Sequence, residues 1–173
     1  MNDAQVAYNS VEQASLNLSF EDTTKLSKTL QSLIKKTSYF FLATSSQAGE
    51  PNINFKGGEA GFIHIIDDNT ILFPDFDGNG IFHGINDMMH NPNVAMLFID
   101  FKNTMRYKAN GIATIIDDQD EISQYLDLKG FDYPPRVIKV KITYAIRNCS
   151  KNIHLVRDDI LEFEQNKDYN KRV

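Results

Sequence analysis

The sequence predicts an α+β fold: an antiparallel, barrel-like sheet of about seven strands with helices packed at its side. Three observations carry that expectation. Apolar runs of strand length recur from residue 39 to residue 147, most connections between them are of hairpin length, and only two or three segments show helical spacing. The length of 173 residues fits one domain with a sizeable core.

Residues 1–18 lack periodicity and are rich in Asn, Gln and Ser, so they are expected to form a flexible N-terminal arm; residues 19–173 are expected to form a single domain. A helix is predicted from Ser19. Ser19 can cap it, Glu21 and Asp22 load its first turn, Lys35 and Lys36 sit at its end, and Leu26, Leu30, Leu33 and Ile34 make one apolar stripe for packing on a sheet. Tyr39–Ala43 is a continuous apolar run, and Gln47–Glu50 turns it into a second strand from Pro51. Asn52–Phe55 alternates polar and apolar residues, and Gly61–Ile66 and Thr70–Phe73 are two further runs joined by Asp67-Asp68-Asn69. These strands are expected to follow one another as a meander. Ile81, Ile85, Met88 and Met89 then fall at helical spacing, and Pro92 stops that helix.

Val94–Phe101 and Met105–Ile116 are predicted strands, the second long enough to curve, with Met105, Tyr107 and Ala109 on one face and Arg106, Lys108 and Asn110 on the other. Gly111 marks a bulge or a close approach of backbone to a ligand. Glu121–Leu128 is expected to be helical. Arg136–Arg147 alternates, with Ile138, Val140, Ile142, Tyr144 and Ile146 pointing one way.

The chemistry concentrates between Pro51 and Pro92. Lys56 is followed by Gly57 and Gly58, and the loop Pro74–Gly80 runs into a helix N-terminus, whose free N–H groups and dipole suit an anion. With Lys56 folded back beside that loop, the two would make a phosphate pocket that includes Asn79 and Gly80. A rival pattern, Gly78-x-Gly80-x-x-x-Gly84 with Asp100 further on, imitates a dinucleotide fingerprint. Against it, Pro74–Asp77 separate strand from glycine, no second βαβ unit follows, and Asp75 and Asp77 place negative charge near any pyrophosphate.

Bulk properties narrow the partners. A net charge of −5 argues against a general nucleic-acid or anionic-membrane surface, and no apolar run is long enough to span a bilayer, so a cytoplasmic location is expected. The single Cys149 excludes an internal disulfide, and His64, His83, His90 and His154 show no metal-binding spacing.

The segments FFLATSSQAGEP (Phe40–Pro51), FKGGEAGF (Phe55–Phe62), LFPDFDGNG (Leu72–Gly80), NPNVAMLFIDF (Asn91–Phe101) and RYKANG (Arg106–Gly111) occur in an order that resembles the pyridoxamine 5′-phosphate oxidase-related flavoproteins. The resemblance implies a split β-barrel, FMN as cofactor and a homodimer with the cofactor sites at its interface. It places Lys56 at the FMN phosphate end, where Gly57 lets the chain come close, and Pro74 and Asp75 along the isoalloxazine or ribityl chain. Arg106 and Lys108 would lie on a face that meets the neighbouring subunit's flavin. Cys149 and Lys151 match a tail pattern of that family. The family branch that oxidises pyridoxamine phosphate ends in a Trp- and Arg-containing tail, and this chain has no Trp, which sets it apart from that substrate. The expected function is an FMN-dependent oxidoreductase of unnamed substrate and electron donor; the alternative is a non-catalytic flavin- or haem-binding storage protein of the same fold.

Overall fold

Ser27 opens the first helix among the described residues, α1 (Lys28–Ile34), its side-chain oxygen accepting from the Leu30 N–H at 3.3 Å. The structure is a computed structural model and describes residues 23–78, 80, 82–149 and 153. Ser19, Glu21 and Asp22 and the arm of residues 1–18 lie outside the described residues, but residues 23–27 are not helical, so the helix expected to run on from Ser19 is corrected to a start at Lys28. The stripe of Leu26, Leu30, Leu33 and Ile34 is buried, as core rather than as a free face.

Seven strands follow among the described residues: β1 (Tyr39–Ser45), β2 (Pro51–Gly57), β3 (His64–Asp67), β4 (Thr70–Asp75), β5 (Asn93–Asp100), β6 (Met105–Ile116) and β7 (Arg136–Asn148). Two short helices, α2 (His83–His90) and α3 (Gln119–Ser123), interrupt them. All neighbouring strands are antiparallel, in the order β2-β1-β5-β6-β7-β4-β3. The sheet is the expected split barrel, curled but not closed: Lys56 of edge strand β2 reaches Asp75 of β4 at 2.5 Å although four strands separate them in the sheet.

Several local expectations are corrected. The early strands do not form a meander; β2 and β3 lie at opposite edges, because the segment after β2 turns back onto α1 and β1 through bonds from Gly58 N to Ser38 O and Gly61 N to Thr37 O. That turn also delays β3 to His64. α3 ends at Ser123, and the chain to Leu128 continues as turns closed by Tyr125 N–Ile122 O and Leu128 N–Tyr125 O bonds. Met89 is 71% exposed and leaves the buried side of α2 to Ile85 and Met88, while Ile81 lies outside the described residues.

In β7 the inward phase changes at a bulge. Asn110 pairs with Tyr144 and Gly111 with Ile142, so Thr143 is extra and Ala145, not Tyr144, is buried beyond it. A Cβ on Gly111 would lie 2.6 Å from the Lys141 carbonyl oxygen, so the close approach read from this glycine is to the neighbouring strand.

Two cores result. The larger fills the barrel around Phe40, Phe73 and Phe98, whose rings meet at centroid distances of 5.0 and 5.4 Å through Phe40. The smaller joins Leu72, Ile116 and Val137 to Ile122 and Phe131, so that the segment between β6 and β7 covers the outside of β4. No helix among the described residues is long and apolar enough to cross a membrane.

Candidate functional site

β2 is an inverted strand. Its apolar residues Ile53 and Phe55 are 68% and 64% exposed, whereas Asn52, Asn54 and Lys56 point the other way and are half-buried. The register explains it. Asn54 stands opposite Leu42 and Lys56 opposite Phe40, both fully buried, so the polar side of β2 faces the barrel. There it forms one wall of a cavity of about 450 Å³, within the range of small-molecule and cofactor sites. The end of β4, the loop after it and the first turn of α2 form the other walls.

The cavity floor is an ion-pair network. Asp75, 3% exposed, receives Lys56 Nζ at 2.5 Å on one oxygen and Arg136 Nε at 3.1 Å on the other. Arg136 also donates through a terminal nitrogen to Asp77, whose side chain is 56% exposed. Burial acts to lower the Arg136 pKa, but its hydrogen bonds to Asp77 and Asp75, with their charges, carry it above the ordinary guanidinium value. The Phe82 ring lies 5.4 Å from the guanidinium carbon and covers one of its faces.

Three features of this wall offer donors to a ligand. Asn54 Nδ2 is buried and has no hydrogen-bond partner among the described residues. The amine of Lys56 has three N–H donors, one of which meets Asp75. At the head of α2, Phe82 is the N-cap and supplies no side-chain acceptor, so among the described residues no N-cap side chain meets the first N–H groups. Behind them, buried Asp87 accepts from Thr44 Oγ1 at 2.7 Å and from Asn52 Nδ2 at 3.4 Å, which fastens α2 to β1 and β2. This donor set suits an acceptor-rich ligand, and a flavin phosphate with its ribityl chain fits it.

Lys56, Gly57, Pro74, Asp75 and Gly80 therefore line one cavity; Asn79 lies outside the described residues. Gly57 and Gly58 have a packing role beside any ligand role: a Cβ on either would come within 2.8 Å of the Phe55 or Phe62 ring. Arg106 and Lys108 lie elsewhere, on the outer face of β6. They are not on an edge, since β6 pairs with β5 and β7. Lys108 stands over the Tyr144 ring at 5.5 Å, while Arg106 Nε and Asn110 Oδ1 are buried with no hydrogen-bond partners among the described residues. Cys149 is exposed; Lys151 and His154 lie outside the described residues. Sequence reasoning missed Arg136 and Asn54. A charge count signals Arg136: two aspartates beside an apolar strand need two cations, and Lys56 is only one of them.

The outer face holding Ile53, Phe55 and Arg106 is continuous. One row across the sheet is Phe55, Phe41, Leu97, Lys108 and Ile146, and the next begins Ile53, Ala43, Ala95 and Asn110. A wider groove of about 1190 Å³ beside Tyr39, Ile99 and Asp100 opens on this side and shares Phe55 and Gly57 with the first cavity.

A family model described as pyridoxamine 5′-phosphate oxidase matches residues 26–157. Among solved structures, a candidate pyridoxamine 5′-phosphate oxidase from Lactobacillus delbrueckii superposes with a TM-score of 0.57 at 19% identity, over 72% of this chain and 96% of that one. HupZ from Group A Streptococcus gives 0.54 at 16% identity, over 76% and 98%. An FMN-binding protein from Syntrophomonas wolfei gives 0.53 at 12% identity, over 87% and 99%. At these identities the likeness is one of fold. No curated protein matches the sequence.

Proposed function

Because the chain belongs to the pyridoxamine 5′-phosphate oxidase family, we propose that it is an FMN-dependent oxidoreductase that holds the cofactor in the cavity between β2, β4 and α2. The observation that carries this reading is Asn54 Nδ2, a buried donor with no partner among the described residues, in the wall of a cavity whose other groups include Lys56 and the head of α2. Lys56 and the α2 N–H groups hold the phosphate, with Gly80 and Asn79 in the loop beside it. Gly57 lets the chain approach beside Lys56, and Pro74 and Asp75 line the ribityl chain and ring. Bound FMN would supply hydride or electron transfer to a small-molecule substrate.

The working unit is a homodimer in the cytoplasm. A second copy covers the outer face of β2, β1, β5 and β6, burying Ile53 and Phe55 and giving partners to Arg106 Nε and Asn110 Oδ1. On that face Arg106 and Lys108 approach the flavin of the neighbouring subunit.

Titration of FMN and riboflavin into wild type and Lys56→Ala tests the cofactor pole. Losing one charge-assisted contact should cost FMN about ten- to a hundredfold in affinity and leave riboflavin nearly unchanged. Equal losses for both would remove Lys56 from the phosphate. Redox titration of the loaded protein separates the enzyme from the storage alternative: Arg106→Gln should lower the flavin midpoint potential, and an unchanged midpoint would favour storage. Absorption of haem rather than flavin by the purified protein would move the reading to haem storage.

A further inference from the structure

We propose that Arg136 is the second cation of the anion pole in this cavity and that Asp77 is its built-in competitor, so that the pair sets the preference for a phosphate-bearing ligand over the same ligand without phosphate. The inference rests on reading the cavity as a cofactor site and adds a specificity determinant to it.

The two carboxylates on Arg136 differ in their freedom to leave. Asp75 is 3% exposed and is held by Lys56 as well, so releasing it would strand a buried charge. The side chain of Asp77 is 56% exposed, and exchanging its contact for water costs little. Arg136 Nε is thus committed to Asp75, while a terminal nitrogen is engaged by a group that can be displaced. With the side chain 16% exposed and Phe82 across one face, the fork is fixed in plane at the cavity wall.

The loop leaves room for that exchange. Gly78 and Gly80 line the cavity beside Asp77, and among the described residues no atom lies within 4 Å of the place a Cβ would take on either, so the backbone following Asp77 is not packed against them. The charges set the direction. Lys56, Arg136 and Asp75 sum to one positive charge, Asp77 cancels it, and a phosphate dianion binds the same terminal nitrogen more strongly than a carboxylate that water also solvates.

The test is a double-mutant cycle with wild type, Asp77→Asn, Arg136→Gln and the double variant, each titrated with FMN and riboflavin. Asp77→Asn should tighten FMN about two- to fivefold, the worth of an exposed ion pair, and leave riboflavin unchanged. Arg136→Gln should weaken FMN about tenfold or more, with riboflavin binding reporting that the cavity is still folded. In the Arg136→Gln background, adding Asp77→Asn should no longer tighten FMN. The proposal is overturned if Asp77→Asn leaves FMN affinity unchanged or lower, tightens riboflavin equally, or acts without Arg136. If neither flavin binds wild type, the cofactor reading has failed. Inorganic phosphate, followed by its ³¹P line width on the same four proteins, then decides: Arg136-dependent tightening by Asp77→Asn supports the anion pole, and absence of binding or of tightening refutes it.

Discussion

Towards one edge of the sheet, β4 is buried at every position; at the other edge, β2 exposes every second residue. Both strands border the same cavity, so the difference lies in what covers their outer sides. For β4 the cover comes from the chain itself. The segment between β6 and β7 places Ile122 and Phe131 over Leu72, Ile116 and Val137. For β2 no described residue does this, and Ile53 and Phe55 stand in solvent while Asn54 and Lys56 face inward. An edge strand that turns its amides and amine inward and its apolar residues outward reverses the usual economy of burial. It makes sense when the inside receives a polar ligand and the outside a second copy.

The largest effect is expected where the cover is internal. Phe131→Ala removes a ring that is 1% exposed and packs edge-on to His64 at 5.3 Å, and urea unfolding should show a loss of about 3–5 kcal/mol. A loss below about 1 kcal/mol would show that the segment between β6 and β7 contributes little to the core beneath it.

At β2 the same class of change should act on assembly instead of on the fold. Ile53→Ser with Phe55→Ser alters side chains already exposed in the single chain, so its unfolding free energy per chain at low concentration should move by less than about 1 kcal/mol. Sedimentation should instead shift from a species of twice 19.7 kDa to one of 19.7 kDa. A double variant that remains dimeric would remove this face from the interface. A monomeric wild type would remove the homodimer reading of this face.

The edges also differ in how legible they were in the sequence. The alternation of β2 was plain from Asn52 to Phe55, but alternation gives a period and not a side, and only the register against Leu42 and Phe40 shows that the polar set faces inward. The cluster around Lys56, Gly57, Pro74, Asp75 and Gly80 was readable because these residues sit near one another along the chain. Arg136 was not, because it joins Asp75 from 61 residues away through the pairing of β4 with β7. The same limit explains the expected meander: strand neighbours in sequence suggested neighbours in space, and nothing local announced that β2 and β3 would part to opposite edges. The phase change in β7 was hidden too, since a bulge at Thr143 leaves the apolar alternation of the sequence intact.

The smallest expected effect concerns the acidic turns at the two sides. Asp67, in the turn between β3 and β4, accepts from Asn69 N at 2.8 Å and Thr70 Oγ1 at 2.9 Å. Asp100, before the turn between β5 and β6, accepts from Lys102 N at 2.9 Å, Asn103 N at 3.0 Å and Asn103 Nδ2 at 2.7 Å. Both carboxyls are held below their ordinary value: Asp67 chiefly by its bond from the Asn69 backbone, and Asp100 by the Asn103 and Lys102 bonds, which outweigh the upward push of burial. A depressed folded pKa contributes stability above the unfolded value of about 3.9, and that contribution is lost as pH falls through the folded value. Asp100→Asn should therefore destabilise the protein at pH 7 by less than about 1 kcal/mol, and the gap from wild type should close on acidification. Asp100 lines the groove on the open side of the sheet. If a second copy covers that side, the pH 7 gap for Asp100→Asn should widen as protein concentration rises, because water then screens the turn less; Asp67→Asn should show no such dependence. Urea titrations of both variants at two concentrations and at pH 7 and pH 3 measure this. A gap for Asp100→Asn as large at pH 3 as at pH 7 would assign it to turn geometry rather than charge, and one indifferent to concentration would place the turn outside the interface.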